Sequence, residues 1–240
     1  MNLNINNRLD FSVVDLSEDW RYVVIDDFLA NPEQLVEHGS RLRDEFLYPE
    51  RSYPGGVLPL DGQVLTLVNQ FIRREMSKLF VFARAGLRCQ SQLCLATLQP
   101  ANFTWIQRLC HTDPHVHPGR TNYAALLYLF DDADLGGTAF FRWKDEEYWR
   151  DMTARQQPDP VAGLAELEQK FPLFREPPCY MTGSNEVAEL LDEVPAKFNR
   201  LVFYPGDLPH GACIRFPERL SDDPQAGRLT LNTFVAANPR

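Results

Sequence analysis

The apolar residues of this chain change period part-way along it. Between residues 31 and 79 they recur at helical spacing: Leu35, Val36, Leu42 and Phe46 form one stripe, and Val64, Leu67, Val68, Phe71, Ile72 and Met76 form a second. The first stripe predicts a helix over 31–46, with Asn31 as N-cap, Pro32 at the first helical position and Gln34 three residues after the cap. The second predicts a helix over about 61–79. Before both, the run Trp20-Arg21-Tyr22-Val23-Val24-Ile25 is aromatic and β-branched and reads as a strand. From Cys89 onward the texture is one of short strand-like runs, at 93–98, 103–109, 124–130, 138–143, 201–204 and 229–235. Gly, Pro, Asn and Asp turns separate them. Two helices followed by many short strands predict a mainly β fold with flanking helices, an antiparallel barrel or sandwich buttressed on one sheet. Tyr53-Pro54-Gly55-Gly56 reads as a turn with an aromatic flank, a plain surface loop ahead of a border to a substrate pocket.

The strand pattern is interrupted over about 144–192. Stretches 145–152 and 161–170 look helical, and Pro158, Pro160, Pro172, Pro177 and Pro178 break them up. This is a helical insertion between strands, either a lid over a site or a solvated excursion. With no repeat, low-complexity tract or linker, the whole of 1–240 reads as a single domain.

Composition narrows the function classes. Of the 240 residues 44% are apolar and 24% charged, which suits a globular core. The net charge of −9 and the lack of a Lys/Arg cluster argue against nucleic acid as a partner. No apolar run is long enough to span a membrane, and the N-terminus lacks the regions of a signal peptide, so the expected location is cytoplasmic. Five cysteines without CxxC spacing read as reduced thiols. Cys110 alternates away from His111 and reads as packing.

The densest chemistry is Cys110-His111-Thr112-Asp113-Pro114-His115-Val116-His117, which holds three of the chain's five histidines. In an extended segment residues i and i+2 share a face, so His111 and Asp113 can grip one ion side by side. His210, at the end of Tyr204-Pro205-Gly206-Asp207-Leu208-Pro209-His210, can supply the third corner. Two imidazoles and one carboxylate with open positions opposite are the ligand set of non-haem Fe(II) oxygenases. Such a site leaves room for a bidentate 2-oxo acid and dioxygen, and it needs a cationic anchor for the far carboxylate of 2-oxoglutarate. Arg228 opens a strand, and its fork suits a carboxylate; Thr230, two residues on, shares its face. A different arrangement, a cupin-type metal site built on His115 and His117, stays open, although Gly119-Arg120-Thr121-Asn122-Tyr123 lacks the glutamate such a site expects.

Taken in order, these motifs resemble the 2-oxoglutarate/Fe(II)-dependent dioxygenase superfamily, nearest to its prolyl 4-hydroxylase-like branch. The matching pieces are His111-Thr112-Asp113, Leu127-Tyr128-Leu129, Gly136-Gly137-Thr138, Phe198-Asn199-Arg200-Leu201-Val202-Phe203 leading to His210, and Arg228. Val23-Val24-Ile25-Asp26-Asp27-Phe28-Leu29 is similar to the entry of such folds, and the likeness covers roughly 20–30 and 90–240. The resemblance implies a double-stranded β-helix (jelly roll) and Fe(II) held by His111, Asp113 and His210. It also implies 2-oxoglutarate as co-substrate, its distal carboxylate on Arg228 with a phenol hydrogen bond from Tyr128. The expected activity is hydroxylation of an amino acid, peptide or small metabolite by dioxygen, with a cupin-type metalloenzyme or a non-catalytic jelly-roll binding protein as rivals. The insertion before Asn199 and the gap from His210 to Arg228 are longer than in simple members, so the substrate class does not carry over.

Overall fold

The computed structural model describes residues 1–49, 53–60, 62–114, 117–155 and 162–240. Ten strands carry the described chain: β1 (Phe11–Asp15), β2 (Arg21–Ile25), β3 (Gly55–Leu60), β4 (Arg88–Ala96), β5 (Thr121–Tyr128), β6 (Gly137–Trp143), β7 (Ala188–Val194), β8 (Leu201–Pro205), β9 (His210–Cys213) and β10 (Arg228–Ala237). Seven of them form one antiparallel sheet in the order β1-β2-β8-β5-β10-β4-β3, and β7-β6-β9 form a second. The helices are α1 (Glu33–Arg41), α2 (Gly62–Phe71), which runs through a π-turn at Ile72–Met76 into α3 (Ser77–Leu79), then α4 (Glu146–Arg155) and α5 (Ala162–Lys170).

Strand alternation explains how the layers stack. On β5, Ala125 and Leu127 face a core shared with Leu35, Val64, Val68 and Phe71 of the N-terminal helices. The intervening Ala124, Leu126 and Tyr128 face the small sheet, against Phe140 and Val194. Both faces of the large sheet are therefore covered, which is why its central strands read as continuous apolar runs rather than as alternating ones. The first and last thirds of the chain are tied together at β2 and β8. Arg200 grips Asp26 with Nε–Oδ1 2.6 Å and Nη2–Oδ2 3.0 Å, a bidentate pair that holds the Asp26 carboxyl at about 2, led by that hydrogen bond. Asn199, in the left-handed region at φ 62°, brackets Leu29 by accepting from its N–H and donating to its carbonyl, each at 2.8 Å.

Several local expectations change. Stretch 103–109 is not a strand: it forms a 3-10 turn, Trp105–Arg108, because Thr104 and Gln107 close a reciprocal capping box that satisfies the first amides locally. The first helix is shorter than 31–46, ending at Arg41 before a separate 3-10 turn. Asn31 does not cap it, since its side-chain oxygen accepts from the Asn4 amide instead. Tyr53-Pro54-Gly55-Gly56 leads straight into β3, which pairs with β4, and is not a plain surface loop. Strands β1, β3, β7 and β9 had no counterpart in the sequence reading. The proposed starts of two helices, Asp61 and Val161, lie outside the described residues.

The insertion is smaller than 144–192 and is not a solvated excursion, because β7 belongs to the small sheet. Trp149, Met152, Leu167 and Phe174 are buried with Trp105, Cys110, Ala139 and Phe141 on the outer face of that sheet. Buried Cys110 is packing, as its alternation suggested. Arg108, also buried, donates through its guanidinium to the carbonyls of Leu173, Phe174 and Glu176 and so pins the insertion to the segment that leads into His111.

Candidate metal centre

A cavity of about 680 Å³ lies between the two sheets. The proposed ligands meet on its wall. His111 and His210 pair across a two-hydrogen-bond bridge, N to O 2.9 Å and 2.8 Å, which continues the small sheet past β9. Two residues on, the Asp113 amide donates to the Gly206 carbonyl at 2.7 Å. The motif Tyr204-Pro205-Gly206-Asp207-Leu208-Pro209-His210 makes this possible. Its turn closes with Leu208 N–H donating to Pro205 O at 3.1 Å, which turns the Gly206 carbonyl toward Asp113. The same turn sets the Leu208 carbonyl 2.8 Å from His210 Nδ1. That nitrogen must then carry the proton, which leaves Nε2 as a free lone pair.

One ligand atom each from His111, Asp113 and His210 fall within 4.8 Å of one another, the one such group among the described residues. His210 Nε2 stands 3.8 Å from Asp113 Oδ1, too far for a direct hydrogen bond. Asp113 Oδ2 is buried and has no hydrogen-bond partner among the described residues. Burial lowers His210 to about 4 against the opposing pull of its bond to Leu208. His111, which lines the cavity and is exposed as a residue, is lowered by desolvation of its ring and then by His210, with Asp113 opposing. Burial raises Asp113 to about 6, opposed by His111. At neutral pH the group is thus two neutral imidazoles and a carboxylate with an unspent oxygen. A buried carboxylate left this way is costly, and a divalent cation resolves the cost. The donor set of two nitrogens and one oxygen fits iron(II) or a similar first-row metal.

This arrangement has a measurable consequence in metal-free protein. The folded-state value of Asp113, about 6, lies above its ordinary 3.8, so folding favours the protonated form. The cost of the charge is fully present above about pH 6 and vanishes below about 4. Asp113→Asn keeps the shape without the charge. With chelator present it should therefore melt higher than the parent at pH 8, by roughly 1–3 kcal/mol of stability, and lose that advantage at pH 4. Thermal melts at the two pH values check this.

Arg228 opens β10, paired with Ala96 of β4, and reaches the same cavity. It is 2% exposed. Its Nε donates to Gly136 O at 3.1 Å and its Nη2 to Gly137 O at 2.8 Å. The Gly136-Gly137 step is needed here: Gly136 sits at φ 85°, and a Cβ on it would lie 2.1 Å from the Cys213 carbonyl oxygen. Among the described residues no carboxylate pairs with Arg228; its guanidinium carbon stands 5.7 Å from the centre of the Phe130 ring, and this buried cation otherwise has carbonyl dipoles beside it rather than an anion. Buried charges are normally paired, and this one asks for an anion.

The other expected residues divide. Tyr128 is wholly buried, its hydroxyl 2.7 Å from that of Thr138, and it does not line the cavity, whereas Thr138 does. Thr230 is wholly buried as well, its hydroxyl donating to Asn232 Oδ1 at 2.8 Å. His117 borders the cavity but does not join the metal group; His115 lies outside the described residues. No described residue of α4 or α5 lines the cavity. Two further residues line the cavity near Arg228: Tyr53, on the turn for which a pocket border was the less favoured sequence reading, and Thr138, which sequence reasoning did not single out as a site residue. The aromatic flank of the Pro-Gly-Gly turn was the available signal for the first.

The model of a family of unknown function, DUF6445, matches residues 7–235. The chain belongs to that family. No curated protein matches this DUF6445 member. Among solved structures it is similar to a prolyl-4-hydroxylase from Pseudomonas putida, with 14% identity and a TM-score of 0.44 over 91% of this chain and 92% of the other. A prolyl 4-hydroxylase from Phytophthora capsici gives 16% and 0.44, and this chain spans 90% of its own length but only 58% of that protein. HygX from Streptomyces hygroscopicus, solved with nickel and 2-oxoglutarate bound, gives 13% and 0.43 over 90% and 82%. Likeness at this level carries no argument about activity. Among the described residues, no helix of the DUF6445 member is long and apolar enough to cross a membrane.

Proposed function

We propose that this protein is an Fe(II)- and 2-oxoglutarate-dependent oxygenase that hydroxylates an amino acid, peptide or small metabolite. The observation that supports it best is one cavity with two unmet electrostatic demands. The His111/Asp113/His210 group calls for a cation, and Arg228 calls for an anion. A metal-chelating dicarboxylate such as 2-oxoglutarate meets both at once. Bound together, iron and 2-oxoglutarate supply the oxidising chemistry: dioxygen and the 2-oxo acid are consumed, succinate and carbon dioxide are released, and one oxygen atom goes to a C–H bond of the substrate.

The chain's own residues bind and orient. The Leu208 carbonyl fixes the tautomer of His210 so that Nε2 faces the cavity. Asp113 supplies the one negative charge of the triad, which partly neutralises a divalent ion. Arg228 is held by the two glycine carbonyls, so its remaining N–H groups are already aimed when a carboxylate arrives. Apolar Leu126 and aromatic Tyr204 and Phe234 on the cavity wall exclude water from the space between. No separate general base is required, because the reacting C–H bond gives up no proton to the protein.

The test is turnover. Fe(II)-loaded protein incubated with 2-oxoglutarate and dioxygen should release succinate, faster when the true substrate is among a panel of amino acids, peptides and metabolites. Iron-loaded protein that binds 2-oxoglutarate yet yields no succinate with any panel member above the protein-free rate would favour a binding protein that keeps the site without turnover.

A further inference from the structure

The Arg228 end of the cavity holds a second unmet polar group. Among the described residues the buried hydroxyl of Tyr53 has no partner within hydrogen-bond distance; the Thr230 hydroxyl lies nearby, its own proton spent on Asn232, and Tyr53 lines the same cavity as Arg228. Strand register explains the placement. Arg228 pairs with Ala96, and Ala96 pairs on its other side with Gly55, two residues after Tyr53. The turn can bend so tightly over β4 only because residue 55 is glycine. A Cβ there would fall 2.0 Å from the Leu95 carbonyl oxygen and 2.9 Å from the Ala96 Cα. The chain therefore brings a phenol into the same part of the cavity as the buried guanidinium, close enough to feel its charge, and leaves the phenol proton unassigned. Tyr180, its aromatic neighbour, spends its own hydroxyl on the Leu98 carbonyl at 2.9 Å, and the Tyr128 hydroxyl is paired with that of Thr138.

We propose that Tyr53 donates its phenolic hydrogen bond to the carboxylate held by Arg228, and that Tyr128 acts only from behind, by orienting the hydroxyl of Thr138. This rests on the oxygenase reading, in which that carboxylate is the distal one of 2-oxoglutarate. A neutral phenol is the right donor there. Burial pushes Tyr53 well above its ordinary value, with the Arg228 charge and the nearby Thr230 hydroxyl opposing, so the proton stays on the oxygen and is available to an anion. An orphaned hydroxyl costs stability in the ligand-free protein and is satisfied on binding, the pattern of a group kept for a ligand rather than for packing.

Tyr53→Phe removes only the oxygen, so the ring still fills its place. With zinc or nickel in place of iron to prevent turnover, calorimetry should show 2-oxoglutarate binding weakened about tenfold or more. Binding of 2-oxobutyrate, which keeps the 2-oxo acid and lacks the distal carboxylate, should change by less than about twofold. The ligand-free variant should melt at or above the parent temperature, because an unsatisfied buried group has been deleted. A structural tyrosine would give the opposite melt. Tyr128→Phe should weaken 2-oxoglutarate less than Tyr53→Phe does. Equal 2-oxoglutarate affinity in Tyr53→Phe and parent overturns the assignment and leaves the oxygenase reading standing. Parent protein that takes up metal but no 2-oxoglutarate overturns both.

Discussion

His210→Ala should abolish stoichiometric Fe(II) binding, with apparent affinity falling by more than about 100-fold, since even substitutions behind a ligand cost roughly 10- to 100-fold. The expected size of the effect follows from how the residue is held. Its Nδ1 is committed to Leu208, its ring packs edge-on against Tyr204 with centroids 4.7 Å apart, and among the described residues Nε2 makes no hydrogen bond, with Asp113 Oδ1 3.8 Å away. Alanine leaves Asp113 and His111, a pair that cannot satisfy a transition metal alone. His111→Ala should do the same. His117→Ala should keep affinity within a few-fold, because His117 borders the cavity outside the metal group. Equilibrium dialysis against Fe(II) under anaerobic conditions ranks the three variants. The reverse order, His117 essential and His210 dispensable, would move the metal to the second histidine pair and remove the basis for everything built on the triad.

Arg228→Ala should leave metal in place and cripple co-substrate binding. Removing one member of a buried charged pair costs roughly 2–5 kcal/mol, a loss of about 30-fold or more in affinity for 2-oxoglutarate. Arg228→Lys should recover part of that loss, because it restores the charge without the fork. Neither variant should alter metal affinity by more than a few-fold, since Arg228 offers no ligand atom to the metal group. The two readouts separate anchoring from general damage: a misfolded variant loses both, and an anchor variant loses only one. Binding of 2-oxoglutarate to nickel- or zinc-loaded protein by calorimetry, alongside metal dialysis, decides between them.

How much of this was legible in the sequence depends on the range of each interaction. The HxD spacing puts two potential ligands on one face by backbone geometry alone, and a local turn delivers His210, so the three residues that the fold brings together could be named from the sequence. Arg228 was legible for a similar reason, as a lone arginine opening an apolar strand. Tyr128 was placed on the right strand and the right face, but its hydroxyl goes to Thr138, a partner set by the pairing of two sheets. Tyr53 was read as the flank of a turn because its significance comes from what is missing around it. An absent hydrogen bond has no local signature. Stretch 103–109 misled because its aromatic and β-branched residues outweighed the Thr104/Gln107 cap in a strand count. Strand β3 was hidden behind Gly55, Gly56 and Pro59, residues that mark turns in most contexts. β9 is four residues long and begins on a ligand. The insertion helices looked polar and broken, yet their few large apolar residues, Trp149, Met152, Leu167 and Phe174, seal the outer face of the small sheet.

The central claim is that metal and 2-oxoglutarate meet in this cavity, and one titration tests it. Under strictly anaerobic conditions, 2-oxoglutarate added to Fe(II)-loaded protein should produce a visible charge-transfer absorption, because chelation brings the 2-oxo acid into direct contact with the ion. The band should saturate at one equivalent per protein, fail to form in His210→Ala, and require much higher concentrations in Arg228→Ala. Iron-loaded protein that develops no such band at any accessible concentration of 2-oxoglutarate would contradict the account.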